Sequence, residues 1–232
     1  MTSQTPPEPG TPGRGRGLFV AFEGGDGAGK STQSGLLGGW LEQQGYAVRH
    51  TREPGGTALG RQIRELLLHG EDGSVSPRAE ALLFAADRAH HVSSLVRPAL
   101  ERGEVVLTDR YLDSSVAYQG AARDLGHDEV RELSLWAVEG LVPDLTVLLD
   151  VPADLGRERR GDVHDRLERE ADDFHDRVRQ GFLDLAAREP GRYLVVDGTW
   201  PAEEIAAAVA ARVGELLGGA AVSPGGIREA SR

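Results

Sequence analysis

The amino-acid sequence predicts an α/β protein in which helices cover both faces of a parallel sheet. Two observations predict this class: short, largely apolar runs alternate with longer segments of helical spacing, and polar or glycine-rich residues directly follow the apolar runs. Apolar runs without a polar face are typical of strands buried on both sides, as in parallel sheets. Such sheets bind ligands beyond the carboxyl ends of their strands, where the polar segments are expected to lie.

The individual elements follow in chain order. An apolar run that ends in Glu23 and glycines predicts the first strand. A helix is predicted next, because Leu37 and Leu41 share one helical face and Gly45 provides a C-terminal stop. A later helix begins at Pro77, since proline is tolerated in a first turn. The predicted strands are 18–22, 47–50, 105–108, 145–149 and 193–196, and the predicted helices are 30–44, 59–68, 77–100 and 201–217.

The pattern predicts one domain, over residues 17–218, because it contains neither an internal repeat nor a linker;. Residues 1–16 and 219–232 are rich in glycine, proline and other small residues, and we expect two disordered tails;.

Composition argues against several classes of protein. The 232 residues include no cysteine, so the chain has no disulfide framework and no thiolate metal site;. A formal net charge of -11 disfavours a general nucleic-acid binder, and no nucleic-acid partner is expected;. No apolar run is long enough to span a bilayer, and the N-terminus does not resemble a secretory signal;. We therefore expect a cytoplasmic protein without a membrane partner.

A glycine-rich loop at residues 24–31, called the P-loop below, reads Gly-Gly-Asp-Gly-Ala-Gly-Lys-Ser. Its glycines let the backbone approach phosphate oxygens, and its N–H groups with the following helix N-terminus attract anions. Lys30 can reach the β- and γ-phosphates of a nucleoside triphosphate, while Ser31 can bind Mg²⁺. Lys30 is the sole lysine among 26 basic residues. The loop therefore predicts triphosphate binding rather than an ordinary glycine-rich turn.

Asp109 and Arg110 follow the third predicted strand. Asp109 can hold Mg²⁺ directly or through water, and Arg110 can bridge two phosphates. A surface ion pair is the alternative interpretation.

The segment 154–168 is interpreted as a mobile lid. Phosphoryl transfer gains from a cation on the transferring group, and the P-loop itself contains no arginine;. Arg157 and Arg160 are the candidate catalytic residues, although Arg159 and Arg166 share the segment. A solvated charged helix is the alternative, as is usual for charge runs.

Phe84 and Arg88 lie four residues apart and share one face of a predicted helix;. A ring and a guanidinium on one face can stack on and hydrogen-bond a base. Core packing with a surface arginine is the default interpretation, and the pair by itself favours it. The seven histidines show no metal-ligand spacing.

In this order, the motifs resemble the bacterial thymidylate kinase family from about residue 18 to 217. The matching segments are 22–32, 51–57, 83–88, 109–111, 117–120 and 165–168. The resemblance implies a P-loop NTPase fold, a three-layer α/β/α arrangement with a five-stranded parallel sheet and a mobile lid, usually as a homodimer. It implies ATP-dependent phosphorylation of dTMP to dTDP in dTTP biosynthesis, by in-line transfer aided by Mg²⁺ and a lid arginine.

The resemblance also implies roles for single residues. Phe84 would stack on thymine, Arg88 and Gln119 would hydrogen-bond its edge, and Tyr118 would crowd a ribose 2′-OH. Lys30, Asp109, Arg110, Arg157 and Arg160 would be catalytic, and Ser31 and Asp109 would hold Mg²⁺. ATP would contact Gly24, Gly25, Asp26, Gly27, Ala28, Gly29, Lys30, Ser31 and Thr32. The acceptor would contact Asp26, Glu53, Arg64, Phe84, Arg88, Arg110, Ser114, Ser115, Tyr118 and Gln119.

Three alternatives stay open at this point. The chain could be another small kinase that acts on a nucleoside or a different nucleoside monophosphate. It could be a P-loop switch or motor ATPase, although a single lysine leaves no room for an Asn-Lys-x-Asp guanine motif. It could also be a nucleotide-binding structural protein without catalysis.

Overall fold

A computed structural model of the chain describes residues 16–69, 75–159 and 165–218. The predicted tails lie outside these ranges apart from Arg16, whose guanidinium pairs with Asp144 at 2.8 Å. Arg160 also lies outside them. No helix within the described ranges is both long and apolar enough to cross a membrane.

Five parallel strands form the sheet in the described chain, as the sequence predicts. The strands are β1 (Phe19–Glu23), β2 (Val48–Arg52), β3 (Val105–Asp109), β4 (Leu145–Asp150) and β5 (Tyr193–Asp197). In spatial order they run β2-β3-β1-β4-β5, so β1 lies at the centre. Phe19 of β1 pairs with Val106 on one side, and Val20 pairs with Leu145 on the other.

Helices connect the strands, and two π-helical segments interrupt them. The helices are α1 (Lys30–Gln43), α2 (Ala58–Leu68), α3 (Pro77–His91), α4 (Arg97–Glu101), α5 (Leu112–Ser115), α6 (His127–Ala137), α7 (Ala153–Arg159), α8 (Asp172–Arg188) and α9 (Ala202–Leu216), and the π-helical segments are Val92–Val96 and Val116–Ala122. The predicted helix 77–100 is continuous in outline but contains a π-helical segment in its middle. Helices α5, α6 and α8 were not predicted from the sequence.

Both faces of the sheet are buried, which completes the predicted three layers. Because successive side chains of a strand point to opposite faces, β1 contributes to two separate cores. Val20 and Phe22 pack in a cluster with residues of α1 and α9. Phe19 and Ala21 pack on the other side with the π-helical segment Val92–Val96 and α4. The carboxyl ends of β1, β2 and β3 consequently meet at one rim of the sheet.

Candidate active site

A cleft of about 600 Å³ opens at this rim, a volume typical of small-molecule sites;. It joins the P-loop to residues that follow β2 and β3 and to α3. Gly24, Gly25 and Ala28 complete the loop without lining the cleft. The predicted residues that line it are Asp26, Gly27, Gly29, Lys30, Ser31, Thr32, Glu53, Arg64, Phe84, Arg88, Asp109, Arg110, Ser114, Ser115, Tyr118 and Gln119.

The P-loop backbone requires glycine where it approaches other segments. Gly27 has a φ of +79°, and a Cβ there would lie 2.1 Å from the carbonyl oxygen of Gly156 in α7. Any side chain at Gly27 would therefore push α7 off the loop. Gly29, with a φ of 94°, is the N-cap of α1, so the last two residues of the P-loop, Lys30 and Ser31, form the start of this helix. The first N–H groups of a helix have no partner within it and attract anions.

Lys30 is held by the loop itself. Its Nζ donates to the carbonyl oxygens of Gly24, at 3.1 Å, and Gly25, at 2.7 Å. Burial, and next the neighbouring Arg110, lower the pKa of Lys30 to about 8. An anion between Lys30 and Arg110 would relieve this repulsion, so the pair is suited to phosphate.

Arg110 lies at the centre of a polar cluster in the cleft. It has a φ of 67°, unusual for a residue with a side chain, and Thr108 Oγ1 donates to its carbonyl oxygen at 2.9 Å;. Its guanidinium donates to Asp26 Oδ1 at 2.6 Å, to Ser114 Oγ at 3.0 Å and to Tyr118 OH at 3.2 Å. Burial alone would raise the pKa of Asp26, but Arg110 and Lys30 outweigh it and hold that pKa well below its ordinary value.

Glu23 is a site residue that the sequence analysis did not single out. It is fully buried at the end of β1 and accepts hydrogen bonds from Tyr111 N at 2.8 Å, Ser114 N at 3.2 Å and Ser114 Oγ at 2.6 Å. These contacts fix the turn that carries Arg110. Burial, followed by the nearby Asp113, raises the pKa of Glu23 to about 7. The sequence feature that could have identified Glu23 is a glutamate at the end of an otherwise apolar strand.

Ser31 and Asp109 provide oxygen atoms beside the P-loop. The hydroxyl of Ser31 donates to Asp109 Oδ2 at 2.6 Å, so the two groups are within reach of one small cation. A hydroxyl and a carboxylate are hard oxygen ligands, the kind that Mg²⁺ prefers. The donor set of this pair therefore fits the predicted metal.

Arg88 is almost fully buried and is satisfied by protein partners. Its Nε donates to Glu53 Oε2 at 2.6 Å, and Nη2 donates to Ser115 Oγ at 3.1 Å. His91 Nδ1 lies 2.8 Å from the other Glu53 oxygen. Glu53, predicted to contact the acceptor, is thus the group that orients Arg88.

Phe84 and Arg64 form further parts of the cleft wall. Phe84 is 9% exposed, so most of its ring packs against other side chains while the rest lines the cleft. Arg64 donates to the carbonyl oxygen of Pro54 at 3.0 Å, and burial with the nearby Arg52 lowers its pKa. Arg52 also lines the cleft, although the sequence analysis assigned it no role.

The lid arginines occupy different environments. Arg157 pairs with Asp172 on α8 and does not line the cleft, whereas Arg159 lines it and donates to the carbonyl oxygen of Gly198 at 2.8 Å. Arg166 is buried and pairs with Glu80. Of Arg157, Arg159 and Arg166, only Arg159 lines the cleft. Arg159 was not among the catalytic candidates chosen from the sequence.

The five-stranded parallel sheet, the P-loop at the end of β1 and the adjoining cleft define a P-loop nucleotide-binding protein. The family model described as thymidylate kinase matches residues 22–209. The chain therefore belongs to the thymidylate kinase family.

Individual proteins of known sequence or structure support the same assignment. The chain is 63% identical over 204 residues to a thymidylate kinase of Clavibacter sepedonicus, a match that covers 87% of this chain and 96% of the relative. It is 57% identical over 203 residues to one of Bifidobacterium longum, covering 86% and 98%. A crystal structure of thymidylate kinase from Ehrlichia chaffeensis superposes with a TM-score of 0.71 at 31% identity, covering 88% of this chain and all of that one.

Proposed function

We propose that the chain transfers the γ-phosphoryl group of ATP to the phosphate of dTMP and produces ADP and dTDP. The observation that carries the proposal is the continuity of the cleft. Lys30 and Arg110, which are suited to phosphates, line the same cavity as Phe84 and Gln119, which are suited to a base. One cavity can therefore hold a phosphate donor and a nucleotide acceptor at the same time.

The reaction needs alignment and charge neutralisation rather than a general base. An oxygen of the dTMP phosphate is already anionic, so it attacks the γ-phosphorus directly while the bond to the β,γ-bridging oxygen breaks. Lys30 would exchange its two carbonyl partners for β- and γ-phosphate oxygens. Arg110 would turn from Asp26 towards the two reacting phosphates, since its fork can bind both;.

Ser31 and Asp109 would hold Mg²⁺, directly or through water. When bound there, the ion would neutralise charge on the β- and γ-phosphates. A lid arginine would supply a further cation, and Arg159 is the described candidate best supported by its position in the cleft. Arg157, and Arg160 outside the described residues, are the other lid arginines proposed from the sequence.

The acceptor would lie with its base against Phe84. Gln119 and Arg88 would lie at the edge of the base, where Arg88 would exchange its contact with Ser115 for the base while it keeps its bond to Glu53. Tyr118 donates to Asp26 Oδ2 at 2.9 Å, and its ring would crowd a ribose 2′-OH. Glu53, Arg64, Ser114 and Ser115 would complete the acceptor side.

The chain would act as a homodimer of single domains, each spanning residues 17–218 with a lid at about 154–168. Three neighbouring helices, α2, α3 and α6, expose large apolar side chains: Leu66 is 58% exposed, Leu82 57% and Trp136 80%. Large apolar side chains exposed on neighbouring helices favour a protein partner. We expect Trp136→Arg to shift the sedimentation of the protein from dimer to monomer.

The proposed location of the protein is the cytoplasm.

An assay of acceptors tests the proposal. ADP release is coupled to NADH oxidation with ATP and, in separate reactions, dTMP, dUMP, dCMP, AMP, CMP and thymidine. The proposal expects dTMP to give the highest kcat/KM. Faster phosphorylation of AMP, CMP or thymidine would assign the chain to another kinase activity, and ATP hydrolysis unaffected by any acceptor would assign it to the ATPases.

A further inference from the structure

Glu80 on α3 connects three segments around the base end of the cleft. Its side chain is fully buried and its Oε1 accepts a hydrogen bond from Gln119 Nε2 at 3.0 Å. Arg166 pairs with Oε2, and Arg123 Nε lies 3.4 Å from Oε1. A carboxylate that receives two guanidinium groups offers only acceptor sites to its remaining neighbour.

This arrangement determines which end of the Gln119 amide is available to a ligand. The amide nitrogen must face Glu80, because the amide oxygen in that position would oppose a carboxylate oxygen. Gln119 is itself buried and lines the cleft, so its oxygen is the atom left for a bound base. Glu80 binds one of the two N–H groups of this nitrogen, and the orientation it imposes leaves the amide oxygen as the acceptor presented to the cleft at a fixed position;.

We propose that Glu80 is a positioning residue that locks the Gln119 amide and so selects a base with an N–H at the matching edge. Thymine and uracil carry such a donor at N3, whereas N3 of cytosine is an acceptor and would oppose the amide oxygen. The inference rests on the proposed function, and it assigns the discrimination between thymine and cytosine to a residue that touches no substrate.

Arg166 holds Glu80 in this position. Its Nε donates to the carbonyl oxygen of Leu67 at 2.8 Å, and its backbone N–H donates to that of Leu68 at 3.1 Å. The guanidinium is therefore fixed on the C-terminal end of α2 while it pairs with Glu80. A buried carboxylate without such a partner would be costly, so Arg166 allows an ionised Glu80 to lie beside the base pocket.

Glu80→Gln tests the proposal because it keeps the shape of the side chain but removes the acceptor-only character. The introduced amide can present either end, so Gln119 gains freedom to turn its nitrogen towards the ligand. We expect the ratio of kcat/KM for dTMP to that for dCMP to fall at least about tenfold, mainly through the KM values of the acceptors. The KM for ATP should change by less than about twofold, since the side chain of Glu80 contacts Gln119, Arg123 and Arg166 and not the P-loop;.

Glu101→Gln is the matched control, because it makes the same chemical change at an exposed position of α4. Its dTMP to dCMP ratio should equal that of the unmodified chain. If Glu80→Gln lowers kcat/KM for both acceptors equally, Glu80 has a merely structural role and the proposal is wrong. A chain that shows no activity on dTMP before any substitution would instead refute the proposed function.

A second measurement does not depend on whether Glu80→Gln folds. Side-chain amide hydrogen exchange is followed by NMR in the unmodified chain with bound dTMP, and Gln119→Leu identifies the Gln119 signals by their loss. The amide protons of Gln119 should exchange far more slowly than those of Gln43 and Gln44, which are exposed. Exchange as fast as at Gln43 would show that the amide is not locked and would overturn the inference.

Discussion

Glu23→Gln should change how the stability of the protein depends on pH. The pKa of Glu23 rises from 4.5 to about 7, so the folded chain keeps this proton over a range in which the unfolded chain has lost it. The free energy of unfolding therefore falls as pH rises from about 4.5 to 7, and this group lowers it no further above pH 7. A shift of this size corresponds to about 3 kcal/mol.

Glutamine removes the titration but keeps the packing. Its oxygen can accept from the N–H groups of Tyr111 and Ser114, and its nitrogen can donate to Ser114 Oγ;. Between pH 5 and pH 8 the free energy of unfolding of the variant should therefore rise relative to that of the unmodified chain by about 2 to 3 kcal/mol. Urea unfolding of both proteins at pH 5, 6, 7 and 8 measures this difference.

The control is Glu42→Gln, an exposed position on α1 where no such pH-dependent gain is expected. A stability difference between Glu23→Gln and the unmodified chain that stays constant from pH 5 to 8 would refute the reasoning. So would a difference that grows as the pH falls.

Two further substitutions test the proposed roles within the cleft. Phe84→Ala should raise the KM for dTMP by at least about tenfold and leave the KM for ATP nearly unchanged, since it removes a buried ring from the acceptor side. Steady-state kinetics with each substrate varied in turn measures both KM values. Equal increases in the two KM values would show that the ring does not stack on the base. Arg159→Ala should lower kcat by more than about tenfold, whereas Arg157→Ala should have a small effect because Arg157 pairs with Asp172 away from the cleft;. The reverse order of the two kcat values would assign the lid arginine to Arg157.

Much of the fold could be predicted because the strands carry a strong local signal. The central strands are almost wholly apolar, and all five predicted strands overlap the observed ones. Helices α6 and α8 were missed although their buried residues do recur at helical spacing, as at Phe174, Val178 and Phe182. Many charged residues lie between these apolar positions and weaken the apolar pattern in both segments.

The candidate site could be predicted where its residues are adjacent in sequence. The P-loop and Asp109–Arg110 are contiguous motifs, and each follows a strand. Glu23 contacts residues that lie 88 to 91 positions further along the chain. Glu80 contacts residues that lie 39 to 86 positions further along. Only the folded chain brings these partners together. Arg159 could not be separated from Arg157 by sequence, because the choice depends on how α7 packs against the P-loop.

Product analysis with Lys30→Met tests the central claim most directly. Methionine matches the length of the buried lysine stem but cannot bind phosphate. ATP and dTMP are incubated with each protein in Mg²⁺ buffer, and the nucleotides are separated by chromatography. The unmodified chain should form ADP and dTDP in equal amounts, and Lys30→Met should be slower by orders of magnitude while remaining folded by circular dichroism. ADP without dTDP from the unmodified chain, or a near-normal rate from Lys30→Met, would contradict the account.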